Sequence, residues 1–386
     1  MDIRFVFVGR ICKEKWVADI LQLVSLLGAE WISNYRIDFF GDGDMVKTIQ
    51  NHRLFESHLF YHGRLPKEEI IPIRKNAHFT LMPSLFLETF GLVALDSLAL
   101  WVPVIGERKW GIAPFIIDST VAYSWKWLFA TVKNCIEWFN QKNREILQKE
   151  AFNKASEYSA TIWIDRFWQL SKNCKKFVLC SDYAVDVWWI ENYLFQVKNL
   201  SKINWIVADL YWKSTCVRGL WRKTDLVVAL FNVYSFVRLF NRIRHGLYEL
   251  VRLHSVQRWL WWLSIVAVKL LKQRKWYDVW LMVHDFWMLH PFPSQVNEIE
   301  QLDRARFLKW YLQEWKNALW SFKRYAWGCI QIFWKRLMTK RLRLWIRRTV
   351  DTLFVPSWYM ILYVRDRVWQ KDVLEMPHFV SHTADA

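Results

Sequence analysis

Apolar residues in the first part of the chain come in short continuous runs, with little alternation. Residues 3–8 (IRFVFV), 35–40 (YRIDFF), 58–61 (HLFY) and 78–82 (HFTLM) each read as a strand covered on both faces, and a short run at 102–105 follows. Between these runs the apolar positions take helical spacing, from about residue 14, over 67–76, and from 90 to 100. Each strand-like run ends in a loop: Gly9-Arg10, Gly41-Asp42-Gly43-Asp44, Gly63, and residues 83–89. Strands alternating with helices call for an α/β fold with a doubly wound parallel sheet. Beyond Phe115 the pattern turns helical and ends in a helix at about 155–172.

At Lys175 a second α/β unit begins with strand, loop and helix over 175–197. A strand at 278–283 ends in His284-Asp285. Residues 298–349 read as long basic helices, 352–355 as a strand leading into Pro356-Ser357, and 372–380 as a last strand. The chain is long enough for two cores, so two domains are expected, 1–173 and 174–386. In an open parallel sheet, ligands sit beyond the carboxyl ends of the strands. The helix opening at Phe90-Gly91-Leu92 would aim free N–H groups at a phosphate or sugar oxygen, with Glu88 and Asp96 on either side. Taken alone, Glu88 could equally be an acid favoured by a helix dipole, and Asp96 a solvated one.

Six cysteines without a C-x-x-C pair suggest neither a zinc site nor a disulfide framework, which fits a reducing compartment. A charged, strand-like segment follows Met1 directly, so no signal peptide is expected. The longest apolar run, 259–271, is interrupted by Lys269 and too short to span a bilayer. A cytoplasmic protein, or one peripheral on the inner face of the cell membrane, is the expectation. The net charge of +18 is unevenly shared: residues 174–386 hold 33 Lys+Arg against 17 Asp+Glu. Such a field suits an anionic membrane surface or a phosphorylated lipid, or serves solubility alone. Nucleic acid is not expected, because no nucleic-acid signature accompanies the charge.

Several motifs together carry a resemblance. E-x-F-G-L-x-x-x-D at Glu88–Asp96, followed by a P-V-I-G strand and a G-I loop, resembles the donor site of retaining family-4 glycosyltransferases, which have the GT-B fold of two Rossmann-like domains facing a cleft. Gly9-Arg10, four residues, then Lys15 is similar to the family's diphosphate clamp, though in isolation it would be two solvated basic residues after a strand. Gly43 resembles the family's glycine turn near the nucleotide; Gly63 and Leu65 stand where the base pocket is lined. The resemblance implies that Glu88 touches the transferred sugar, that Asp96, in place of the usual Glu, holds the ribose, and that Phe90, Gly91 and Leu92 offer backbone donors. His284 would contact the sugar, or be a satisfied histidine at a strand end. Trp188-Trp189 occupy the acceptor-domain phosphate loop. It further implies a nucleotide-diphosphate sugar as co-substrate, no cofactor or metal, and a sugar or lipid-linked sugar acceptor, as in surface polysaccharide, lipopolysaccharide or glycolipid synthesis. Retention would proceed by same-face attack with no side-chain nucleophile. The domain order is inverted relative to the family, as in a circular permutation or in the joined ends of two neighbouring genes. A catalytically impaired product acting as a basic, membrane-associated binding module is the alternative.

Composition adds one anomaly: 28 Trp against 11 Gly. Trp16, Trp101, Trp110, Trp188 and Trp189 fall in slots where the family carries glycine. Two accounts stand open. UGA codons could have been written as tryptophan where the organism reads glycine, or the residues form an interfacial aromatic belt, which would suit Trp259, Trp261 and Trp262.

Overall fold

The structure is a computed structural model. It describes residues 2–84, 88–123, 128–138, 141–171, 174–181, 196–200, 207–212, 237–254 without 239 and 242, 268–273, 277–283, 343–367 without 345, and 373–379. Two compact units share the chain: one comprises Met1–Ala160 together with the segment from His378, and the other starts at Thr161.

The first unit opens with β1 (Ile3–Val8), a 3-10 turn at Lys13–Lys15 and α1 (Val17–Ala29). Then come β2 (Tyr35–Phe40), α2 (Val46–Gln50), β3 (Leu59–Tyr61), α3 (Lys67–Lys75), β4 (Phe79–Met82), α4 (Leu92–Ala99) and β5 (Val104–Gly106). A 3-10 segment Trp110–Phe115 precedes α5 (Leu128–Trp138) and α6 (Gln141–Ser156). The five strands form one parallel sheet in the order β3-β2-β1-β4-β5. Phe5, Phe39, Phe79 and Leu81 are buried, and α1 packs with α5 while α4 packs with α6. Burial on both faces is what the unbroken apolar runs require.

Local chemistry shifts some element edges. The helix expected from about residue 14 starts at Val17, because Trp16 takes left-handed backbone between the 3-10 turn and α1. Gly91 does the same before α4, which therefore begins at Leu92. Pro103 has no N–H to give; its carbonyl accepts from Thr80, and β5 proper starts at Val104.

The second unit takes α7 (Ala160–Leu170), all but its first residue, and so begins ahead of residue 174. It continues with β6 (Lys176–Ser181), β7 (Val207–Trp212), β8 (Leu250–Leu253), β9 (Asp278–Met282), β10 (Thr352–Val355), α8 (Trp358–Arg367) and β11 (Val373–Glu375). These strands form a second parallel sheet, β11-β10-β9-β8-β6-β7. Apolar packing ties α7 to it: Phe167 meets Phe177 and Trp280 at ring-centroid distances of 5.0 and 5.7 Å. Arg252, fully buried on β8, lays its guanidinium 5.3 Å from the Trp163 ring. The protein is thus built of two Rossmann-like parallel-sheet domains. The basic stretch expected to be helical lies mostly outside the described residues, as do Trp188, Trp189, His284, Trp259, Trp261 and Trp262.

One buried group ties the first unit to pH. His78 is 5% exposed, and its Nδ1 accepts the Arg4 N–H at 2.8 Å. Burial first, then Arg144 and Arg4, push its pKa from 6.5 down to about 4. Between these values the unfolded chain binds a proton that the folded one refuses, so stability is complete above about pH 6.5 and lost as pH falls towards 4. The loss is expected to reach about 3 kcal/mol at the lower end. His78→Asn, which keeps an acceptor for Arg4 but does not titrate, is expected to flatten the urea-midpoint profile across that window.

Candidate functional site

Parallel strands deliver their following loops to one edge of the sheet, and in the first unit that edge is stitched by backbone. The Gly9 N–H bonds the Phe40 carbonyl at 3.0 Å, Ile11 bonds Asp42 at 3.0 Å, Met45 bonds Ile11 at 3.0 Å, and Gly41 bonds Gly63 at 2.9 Å. The loops after β1, β2 and β3 therefore form one continuous rim. Such approach leaves no room for side chains. A Cβ on Gly41 would stand 1.8 Å from the Gly9 carbonyl oxygen, and one on Gly43 would stand 2.2 Å from that of Ile11. Tyr61 adds a hydroxyl bond to the Gly41 carbonyl at 3.1 Å. Leu65 packs half-buried against Val6, Phe40, Ala77 and Val102.

The loops after β4 and β5 are joined in the same way. The Gly111 N–H bonds the Glu88 carbonyl at 2.9 Å, and a Cβ on Gly111 would lie 2.4 Å from the Thr89 carbonyl. Gly91, at φ 87, caps α4, and its Cα faces Ile112 so closely that a Cβ would meet Cγ2 at 2.7 Å. Behind this turn Phe90 is 4% exposed, with Phe115, Tyr158 and His378 edge-on to it at 5.3, 5.7 and 5.1 Å. The first N–H groups of α4 are thereby held in place, and by helix geometry they lack intrahelical acceptors.

Lys15 and Glu88, 73 residues apart in the chain, form an ion pair where the two rims meet. Ser84 donates its hydroxyl to Glu88 Oε1 at 3.0 Å and accepts from the Lys15 ammonium at 3.4 Å. Both charged side chains are largely covered, with 20% and 15% of their surfaces exposed. The pair is consequently less screened than a surface bridge. Arg10 is exposed at the end of β1. Asp96 stands on the second turn of α4, near Arg74. Burial lowers the Arg74 pKa from its ordinary value, the Asp96 carboxylate opposes this, and the guanidinium bonds the Val93 carbonyl at 3.0 Å.

The structure thus places Gly9, Arg10, Lys15, Gly43, Gly63, Glu88, Phe90, Gly91 and Leu92 on the loops and helix starts of one sheet edge, with Lys15 and Glu88 in contact, whereas Leu65 packs against the Val6–Phe40 cluster and Asp96 lies a turn into α4 beside Arg74. Four participants escaped the sequence reading. Ser84 and Tyr61 carry no periodicity or motif of their own, and Tyr158 and His378 are distant in the chain. Lys15, Arg10 and the α4 N–H groups offer positive charge and donors suited to a phosphate, and Glu88 offers an acceptor suited to hydroxyls. No group of three or more metal-ligating side chains occurs among the described residues, and no described helix is long and apolar enough to cross a membrane.

The glycine contacts make a direct test. Gly43→Ala is expected to cost about 1–3 kcal/mol in urea denaturation, because backbone must move. Gly28→Ala, in α1 where a Cβ meets nothing nearer than 3.7 Å, is expected to gain about 0.5–1 kcal/mol.

Residues 1–160 match the family model described as glycosyl transferases group 1. An uncharacterized glycosyltransferase of Methanocaldococcus jannaschii is 28% identical over 115 residues, 29% of this chain and 31% of that protein. The sulfoquinovosyl transferase of Arabidopsis thaliana is 26% identical over 215 residues, 53% of this chain and 38% of that protein. The chain thus spans about a third of the length of these curated relatives. Among solved structures, the catalytic domain of cholesterol-α-glucosyltransferase from Helicobacter pylori aligns with 41% of this chain and 100% of its own, at 19% identity and a TM-score of 0.36. The first unit, with the Lys15–Glu88 corner, is accordingly similar to the group 1 glycosyltransferase domain.

Proposed function

We propose that the protein is a retaining, metal-independent glycosyltransferase of the GT-B type, moving a sugar from a nucleotide-diphosphate sugar to a sugar or lipid-linked acceptor. One observation carries this reading. The strand order β3-β2-β1-β4-β5 reverses between β1 and β4, and Lys15 follows β1 while Glu88 follows β4. A crevice at such a reversal is where open parallel sheets hold nucleotides. The family match over the same residues supports the sugar-transfer chemistry.

In this reading the donor diphosphate lies against Gly9, Arg10 and the start of α4, and Lys15 exchanges part of its pairing with Glu88 for a phosphate oxygen. As the bond from sugar to phosphate breaks, Arg10, Lys15 and the N–H groups at Phe90-Gly91-Leu92 neutralise the charge on the departing diphosphate. Glu88 holds sugar hydroxyls and Asp96 the ribose. The acceptor hydroxyl attacks the face that the diphosphate leaves, and its proton passes to the leaving phosphate oxygen. By resemblance alone we assign His284 to the transferred sugar and the loop at Trp188-Trp189 to the acceptor. The basic second half favours an acceptor at an anionic membrane surface, in glycolipid or surface-polysaccharide synthesis. We read the domain order as a circular permutation, donor-binding domain first; the grouping of the segment from His378 with the first unit supports it.

Thermal unfolding with UDP, GDP or ADP, each at a hundredfold excess over Kd, is expected to show about 2.7 kcal/mol of stabilisation with one of the three. Lys15→Ala and Glu88→Gln are expected to lower donor hydrolysis at least tenfold while leaving Tm within a few degrees. No shift with any nucleotide, together with undiminished hydrolysis in both variants, would remove this reading.

A further inference from the structure

Left-handed backbone crowds an L residue's Cβ against its own carbonyl at a cost that glycine does not bear, and a bulky side chain there is an outlier. Among the described residues six non-glycine positions have positive φ, and four are tryptophan: Trp16 at 54°, Trp31 at 59°, Trp101 at 64° and Trp110 at 52°. Glycine takes comparable values at Gly63 (73°) and Gly91 (87°), while Gly9 and Gly41 lie well outside them at 156° and 138°. Among the described residues tryptophan is therefore used there more often than glycine.

Two of the four sit in one recurrent motif. After α1 the Trp31 N–H bonds the Gly28 carbonyl at 3.2 Å and Ile32 bonds Leu27 at 3.0 Å. After α4 Trp101 bonds Leu98 at 3.0 Å and Val102 bonds Ser97 at 3.0 Å. This nested pair is the Schellman ending of a helix, whose left-handed position belongs to glycine. No packing rewards the indole at Trp31, which is 91% exposed. By contrast Trp163, within α7 and 3% exposed, stacks on Phe167 and has regular backbone.

We infer that positions 16, 31, 101 and 110 are glycine in the polypeptide that the source organism makes, their codons being UGA, which that organism reads as glycine and another genetic code reads as tryptophan. Backbone geometry alone carries this, so the inference holds or fails independently of the proposed activity. It bears on the site all the same, because Trp16 directly follows Lys15 and Trp110 lies beside Gly111, in the loop bonded to Glu88. Glycine at 110 removes a half-buried indole from that loop, whereas Trp16, 8% exposed, packs into the apolar core, and glycine there leaves room beside α1.

Peptide mass spectrometry of the protein from its source organism tests this directly. Glycine at all four positions is expected, and tryptophan at any of them overturns the inference. A second measurement uses the recombinant chain as written. Trp31→Gly is expected to raise Tm by about 2–4 °C, and Trp31→Ala, which removes the indole but keeps a Cβ, by less than half as much. A fall in Tm with glycine, or an equal gain with alanine, would overturn the backbone argument. Trp101→Gly is expected to gain less than Trp31→Gly, because it gives up the Trp101–Phe152 stack at 4.2 Å.

Discussion

Backbone against backbone is the constraint on which the first domain depends. Gly41 on Gly9, Gly43 on Ile11 and Gly111 on Thr89 approach so closely that a single methyl group at any of the three would push the loops apart. These contacts turn separate strand–helix connections into two rims with fixed spacing. Within the rims backbone N–H and C=O groups do most of the joining, and the Tyr61 hydroxyl adds a bond to the Gly41 carbonyl.

Charge placement follows from that geometry. Lys15 and Glu88 come from different rims, and their meeting registers one rim against the other. A partly covered ion pair of this kind costs desolvation that its own attraction offsets only in part. Holding a cation and a carboxylate side by side, with Ser84 orienting both, keeps the corner ready for a ligand that carries phosphate at one end and hydroxyls at the other. The aromatic packing of Phe90, Phe115 and Tyr158 supplies rigidity behind it.

Much of this was legible in the sequence, for physical reasons. Buried parallel strands must be apolar throughout, so β1, β2 and β4 stood out. Glycines at strand ends marked the loops, and Lys15 and Glu88 were marked by motifs that resemble a glycosyltransferase donor site. The strand reversal that brings them together was not visible, since register and order arise from pairing between distant segments. Ser84 has no periodic neighbour to betray it, and Tyr158 and His378 reach Phe90 only through tertiary packing. Trp31 shows the complementary limit. Its neighbours read as an ordinary helix end, and only the backbone angle reveals which position needs a residue without a side chain.

His378 carries a consequence for how the protein is made. Phe90 is synthesised well before His378, which is 1% exposed and sits edge-on to it, so the first domain receives this last aromatic neighbour only after the second domain has been translated. Until then the Phe90 turn rests on Phe115 and Tyr158 alone, and its final tightening is a late step in folding.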